Sequence, residues 1–283
     1  MIIDFHTHVF SPRIKQNRSK YIDNDPCFAL LYSKKEAKLA TADELIESMD
    51  KAGIDISVIV NTGWTTHDMC VETNDYILES IARYPQRLIG FCAVQPQAFE
   101  AAITEIERCA KEGARGIGEI RPDMQLFDLG DEEVMPPFVE ALRKHKLTLL
   151  THASEPVGHD YPGKGIVTPD MLYPFITSHP DLTVVCAHWG GGLPFYALMP
   201  EVKEAMKNVF FDTAASSFLY RPQVYTQVSQ LVGADKVLFG SDYPLLAQTR
   251  LLQEINAAGL SEEEKSLILA GNAQRLLGIK DKT

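Results

Sequence analysis

The chain contains no C-x-x-C pair, and its five cysteines, Cys27, Cys70, Cys92, Cys109 and Cys186, are odd in number and widely scattered. Such a set suits reduced, packed thiols rather than a disulfide framework or a sulfur-ligated zinc. No run of about eighteen apolar residues is present to span a bilayer, and the first residues lack the basic stretch and apolar core of a secretory leader. A cytoplasmic protein without membrane contact is the expectation. Positive charge is in deficit: 27 Lys and Arg against 38 Asp and Glu leave a net charge of -11 and a pI near 5.2. That balance argues against a nucleic acid or an anionic membrane as partner and favours a small molecule. There is also no internal repeat, no low-complexity tract and no glycine-rich dinucleotide fingerprint after the first apolar run.

Present instead are eight apolar runs suited to buried strands: Ile2–Phe5, Ile56–Val60, Leu88–Val94, Gly116–Ile120, Leu147–Leu150, Leu182–Ala187, Val209–Phe211 and Val237–Phe239. Stretches with helical spacing lie between and after them, over Ala42–Ala52, Glu72–Arg83, Ala98–Glu112, Glu132–Lys146, Pro169–Ser178, Glu201–Lys207, Pro222–Leu231 and Leu246–Ala257. Continuously apolar strands are buried on both faces, and eight βα units predict an α/β fold of the (β/α)8 TIM-barrel type, with an open doubly wound sheet as the lesser alternative. One domain over residues 1–283 fits this length. Residues 9–41 and 153–168 exceed a simple connection, and long loops at one rim shape a pocket.

Barrel chemistry sits at the C-terminal strand ends. The first strand ends in His6-Thr7-His8, which puts two imidazoles on one side of a strand end. The fourth runs into Glu119, the fifth ends at His152, the sixth at His188 and the eighth at Asp242. Each has a plain alternative role: a histidine bonding a neighbouring carbonyl, Asp242 capping a helix, Glu119 pairing with Arg121. Together, four histidines and two carboxylates at one rim are costly to bury without an ion.

These residues carry a resemblance. The strings "DFHTHVF", "ETNDYILESIARYPQRLIGFCAVQP", "THA", "CAHWGG", "FGSDYP" and "LILAGNAQRLLGI", in this order over nearly the whole chain, resemble the amidohydrolase superfamily. The similar members are its amidohydrolase-related group, which includes aminocarboxymuconate-semialdehyde decarboxylase, resorcylate-type decarboxylases and several lactone or amide hydrolases. The resemblance implies a distorted barrel, with His6, His8, His152 and Asp242 as metal ligands and His188 beside the metal-bound water. The larger amidohydrolases bridge two metals with a carbamylated lysine on the fourth strand, but no lysine lies between Lys111 and Lys144. Glu119 stands there, in a "GEI" string similar to the fourth-strand glutamate of TatD-like hydrolases, which ligates and bridges ions. Glu119 is therefore expected as a fifth ligand.

A divalent ion on such ligands lowers the pKa of bound water toward about 7. With Asp242 moving the proton and His188 holding the water or the substrate carbonyl, hydrolysis of a small carboxylated ester, lactone or amide is the first expectation. Non-oxidative decarboxylation of an aromatic or muconate-like acid is the second, and a dry, aromatic, anion-binding pocket would favour it. Zinc is the default ion, with manganese, iron or cobalt also accepted by an N/O donor set, as one ion or two. Arg121 is expected to hold a substrate carboxylate, with a structural pair to Glu119 or Asp123 as its alternative. Trp64 and His67, with Tyr161 and His159, are expected to wall the ligand. His145 and His179 belong to the opposite rim, and Trp189 to packing. A homodimer is the expectation for the assembly, since two-fold dimers are the commonest.

Overall fold

In the computed structural model, which describes residues 1–279, all eight expected strands form. They are β1 (Ile3–His8), β2 (Ile56–Val60), β3 (Leu88–Cys92), β4 (Gly116–Ile120), β5 (Thr148–Thr151), β6 (Val184–Cys186), β7 (Val209–Asp212) and β8 (Val237–Leu238). Every neighbouring pair is parallel and the order follows the chain. The ring is drawn shut where β1 meets the segment after β8: Phe5 N donates to Phe239 O at 2.7 Å, His8 N to Tyr243 O at 2.7 Å, and Asp242 N to His6 O at 2.9 Å. The result is a (β/α)8 barrel.

The apolar runs are continuous because both faces are buried. One face packs into the barrel interior, where Ile3, Phe5, Val58, Phe91, Leu150, Val185 and Leu238 meet beneath Ala273 and Leu277 of the closing C-terminal helix. The other face, with Ile59, Ile117, Leu149, Val184 and Val237, packs against the surrounding helices. Helix Ala42–Ala52 illustrates the local code: Thr41 and Glu44 form a reciprocal capping box, and Gly53 ends the helix in the left-handed region at φ 71°. Helix His67–Arg83 starts five residues before the expected Glu72 because the Thr66 side chain accepts from Met69 N and caps it there.

Two strands depart from regular register, and both carry site residues. Pairing of β1 with β2 shifts between Asp4 and Thr7, so the strand runs on to His8 rather than stopping at Phe5. Across the shift Asp4 turns outward, where it accepts from Ser241 Oγ and Gln248 Nε2, while Phe5 and His6 both reach the interior. Pairing of β4 with β5 shifts between Ile117 and Ile120. There Gly118 has φ 144°, and a Cβ at this position would lie 2.3 Å from Leu150 O. Only glycine lets the strand pass and present Glu119 inward.

The expected long connections are present. Residues 9–41 hold three short helices, Pro12–Gln16, Arg18–Asn24 and Pro26–Tyr32. No helix among the described residues is long and apolar enough to cross a membrane. Gly118→Ala should destabilise the protein by about 2–5 kcal/mol in urea denaturation, combining overpacking with a disfavoured backbone; a loss below about 0.5 kcal/mol would show that the strand relaxes freely.

Candidate metal centre and its cavity

Five strand ends deliver six side chains to one mouth, none more than 8 % exposed. From β1, His6 Nε2 and His8 Nε2 lie 3.1 Å apart. Asp242, just past β8, places Oδ1 at 3.1 Å from His8 Nε2 and 3.9 Å from His6 Nε2. Glu119 turns Oε2 toward His6 Nε2 at 3.8 Å, and Oε1 toward His152 Nδ1 at 2.7 Å and His188 Nε2 at 3.4 Å. The structure thus brings together all of His6, His8, Glu119, His152, His188 and Asp242.

Outer hydrogen bonds aim these donors. His6 Nδ1 donates to Asp212 Oδ2 at 2.8 Å and His188 Nδ1 to Ala214 O at 3.2 Å, and His152 Nε2 shares a hydrogen bond with Ser154 Oγ at 3.0 Å. Each bond occupies one ring nitrogen and leaves the other facing the cluster. Asp212 was not expected from the sequence, where the seventh strand supplies no rim residue; a carboxylate closing the apolar run Val209-Phe210-Phe211 was the available signal. Fully buried, it also accepts from His188 N at 2.9 Å and Ala214 N at 3.0 Å.

After β6 the backbone is left-handed over five consecutive residues, from His188 at φ 54° and Trp189 at φ 57° through Gly190 and Gly191 to Gly192. Non-glycine residues pay for this conformation, and such strain gathers at functional sites. The glycines are sterically required as well: a Cβ on Gly191 would lie 2.2 Å from Ser154 O, and one on Gly190 2.8 Å from the Phe211 ring. Trp189 is fully buried and donates to Ser216 Oγ, a packing role as expected. Asp242 also lies in the left-handed region, at φ 64°.

Electrostatics fit a cationic occupant. Burial pulls His6 down, but the Asp212 carboxylate and then Glu119 and Asp242 outweigh it and raise its pKa to about 10. Burial likewise opposes charge on His188, yet Glu119 above all raises it to about 9. Burial favours a neutral Asp242, but the His8 hydrogen bond and the neighbouring imidazoles hold it at about 2. Against burial, His152, His188 and His6 hold Glu119 well below the usual carboxylate range. Burial, then the Arg121 charge, keep His152 below the ordinary histidine value. The donors also have the right spacing: bonds of about 2.0–2.1 Å at right or tetrahedral angles put neighbouring ligand atoms roughly 2.9–3.4 Å apart. The 3.1 Å and 3.4 Å contacts fall in that interval, so the residues present fit a divalent ion bound by nitrogen and oxygen.

The cluster forms the floor of a cavity of about 470 Å³. Leu31, Tyr32, Pro162, Phe218, Leu219 and Leu245 supply apolar walls, and Lys34 and Lys38 stand in the lining from the 9–41 loop. Arg121 reaches the lining while only 1 % exposed; its Nη2 donates to Asp123 Oδ2 at 3.1 Å and Gly163 O at 2.8 Å, and its Nε has no partner. The expected alternative of a pair with Asp123 is therefore realised, and the pair with Glu119 is not. Tyr161 and His159 line the cavity, with Tyr161 Oη donating to Glu155 at 2.9 Å. Trp64 and His67 do not. Trp64 is fully buried, stacked on Phe28 at 5.1 Å with its Nε1 donating to Asn61, because it anchors the 9–41 loop to the barrel. His67 opens the helix that follows, away from the lining. Tyr32, which reaches the site only because that loop folds back over the mouth, is an addition no sequence spacing announced.

The amidohydrolase family model matches residues 3–279. Among curated proteins, the gamma-resorcylate decarboxylase of Polaromonas sp. strain JS666 is 22% identical, over 83% of this chain and 86% of that one. The 2-amino-3-carboxymuconate-6-semialdehyde decarboxylase of Dictyostelium discoideum is 24% identical, over 98% and 91% respectively. Among solved structures, the 5-carboxyvanillate decarboxylase of Novosphingobium aromaticivorans superposes with a TM-score of 0.81 at 21% identity, over 99% of this chain and 96% of that one. It was solved with manganese and 4-hydroxy-3-methoxy-5-nitrobenzoic acid.

Two outcomes follow from the geometry. Because His6 and His188 hold protons at neutral pH that an ion must displace, divalent-ion affinity should rise with pH toward 9, by about tenfold per unit for each proton released. Calorimetry in buffers of different ionisation enthalpy counts those protons, and a pH-independent affinity would contradict the arrangement. Asp212→Ala, which frees His6 Nδ1, should weaken ion binding by about 10–100-fold while touching no ligand atom.

Proposed function

The chain belongs to the amidohydrolase family, and from that premise we propose that it is a metal-dependent decarboxylase of an aromatic or muconate-like carboxylic acid. The carrying observation is the cavity: apolar walls over a floor of metal-type donors and a buried arginine. Apolar walls with a buried cation suit an anion-binding pocket, which favours decarboxylation over the hydrolysis that Glu119 suggested, and the curated relatives named above are decarboxylases. The whole chain is taken as one catalytic domain acting on a small molecule in the cytoplasm, its loops at 9–41 and 153–168 shaping the mouth.

His6, His8, Glu119, His152 and Asp242 are the proposed ligands. A divalent ion held by these residues would supply positive charge that stabilises the anionic substrate and draws electron density from its ring. Manganese is the first ion to test, given the solved relative; zinc rests on donor chemistry alone. Arg121, pre-positioned by Asp123 and Gly163, binds a second anionic group of the substrate. Tyr32 and Tyr161 wall the ring, and burial holds both hydroxyls above their usual pKa, so each stays neutral. Asp242, ionised at rest, takes the proton of a substrate hydroxyl and delivers it to the carbon bearing the carboxylate. The new C–H bond forms, the C–C bond breaks, its electron pair restores the ring, and carbon dioxide leaves. His188, across the cluster, holds the departing carboxylate.

The test is carbon dioxide release from a panel of hydroxybenzoates, including 2,6-dihydroxybenzoate and 5-carboxyvanillate, with one deuterium appearing at the vacated ring carbon in heavy water. Hydrolysis of lactones or esters without carbon dioxide release from any acid would overturn the reading. Asp242→Asn should cost about 10²–10⁴-fold in kcat. Arg121→Ala should raise KM by roughly 10–150-fold with a smaller effect on kcat, the worth of a hydrogen bond to a charged group.

A further inference from the structure

Two tyrosines line the cavity, and they differ in what their hydroxyls are free to do. Tyr161 Oη donates to Glu155 Oε2 at 2.9 Å, so its one proton is already given away. Tyr32 Oη has no hydrogen-bond partner among the described residues, and it retains accessible surface, unlike sealed and unpaired atoms such as Arg121 Nε. A phenol so placed has a donor to offer and nothing in the protein to take it. We propose that Tyr32 is a specificity-determining residue whose hydroxyl donates a hydrogen bond to the ring oxygen beside the carboxylate of the bound acid.

Three observations carry this beyond the free hydroxyl itself. The side chain is held from behind: its ring meets Phe10 edge-on at 5.0 Å and lies against Phe28 at 4.9 Å, and Phe28 in turn stacks on Trp64 at 5.1 Å. The Tyr32 carbonyl accepts from Arg18 Nε at 2.7 Å, which pins the backbone as well. A donor fixed in this way has already lost its rotamer freedom on folding and gives up little more when a ligand arrives. Next, the hydroxyl stands within electrostatic reach of the cavity floor. Burial first, then the Asp242 carboxylate, the Cys27 thiol and Glu119 hold it well above the ordinary phenol range, so it remains a proton donor. Finally, the proposed reaction puts negative charge where this donor can meet it. When Asp242 takes the proton of the substrate hydroxyl, the ring oxygen left behind is anionic, and a hydrogen bond from a neutral donor strengthens as that charge develops. Leu31, Pro162, Phe218, Leu219 and Leu245, the apolar walls, have no such group to give, and Lys34 and Lys38 on the same loop are exposed.

The inference rests on the decarboxylase reading and deepens it, adding the feature of the acid that the 9–41 loop selects. The test is calorimetric binding of 2-hydroxybenzoate and of benzoate, which differ by that one oxygen, to the full-length protein loaded with manganese(II). Wild type is compared with Tyr32→Phe, which keeps the ring and its packing. Expected is a roughly 10–150-fold loss of affinity for 2-hydroxybenzoate, the worth of a hydrogen bond to a charged group, against a change of no more than about twofold for benzoate. Tyr161→Phe should shift both acids by the same factor, because its proton is spent on Glu155. Metal content per chain and thermal unfolding, measured on the same samples, should be unchanged in Tyr32→Phe. An equal loss for both acids in Tyr32→Phe, or no loss for either, would overturn the role of Tyr32, while carbon dioxide release by the wild type would keep the decarboxylase reading. Binding of neither acid by the loaded wild type would overturn the two together.

Discussion

The mouth of this barrel is organised around the buried carboxylate of Asp212. A carboxylate with no exposed surface must be fully hydrogen-bonded to be tolerated, and Asp212 meets that requirement by taking the His6 ring, the His188 backbone and the Ala214 backbone at once. One side chain on β7 thereby orients a ligand on β1, positions the turn after β6 and shapes its own loop. Its charge also accounts for much of the basicity of His6, so the same contact that aims the imidazole strengthens it as a donor.

Around that hub the backbone is bent away from regular geometry wherever chemistry requires. A barrel strand with strict alternation offers every second residue to the interior; the register shifts in β1 and β4 break this and bring His6 and Glu119 into a cluster that regular strands would not close. Gly118 permits the second shift because no side chain fits against Leu150. The glycines after His188 permit a left-handed turn that carries this histidine over the barrel mouth, beneath a loop that leaves no room at Gly191. Strain at His188, Trp189 and Asp242 is sustained by surrounding packing, which keeps the donors in place before an ion arrives.

The loops then decide what meets those donors. The 9–41 segment is held by the stack of Phe28 on Trp64 and by Asp25, which accepts from Thr65 N and Oγ1 at 2.8 Å. It is folded back so that Leu31 and Tyr32 cover the cluster, while the 153–168 segment brings Pro162 and Gly163 against Arg121. A cavity apolar at the sides and charged at the floor is the environment that the proposed proton transfer to carbon needs.

Much of this was legible in the chain itself. Eight apolar runs, long enough and continuous enough to be buried on both faces, favoured a parallel barrel over an open doubly wound sheet, and in a barrel the polar residues that end them, His6, His8, Glu119, His152, His188 and Asp242, gather at one rim because parallel strands all finish on the same side. Local sequence determined these because strand burial and strand direction are properties of short segments. Only the tertiary structure decided that Asp212 joins them, that Trp64 anchors a loop instead of touching a ligand, that Tyr32 reaches the cavity, and that Glu119 divides its two oxygens between separate groups of histidines. Those outcomes depend on distances between residues far apart in the chain, set by register shifts and by loops folding back, and no local periodicity encodes them.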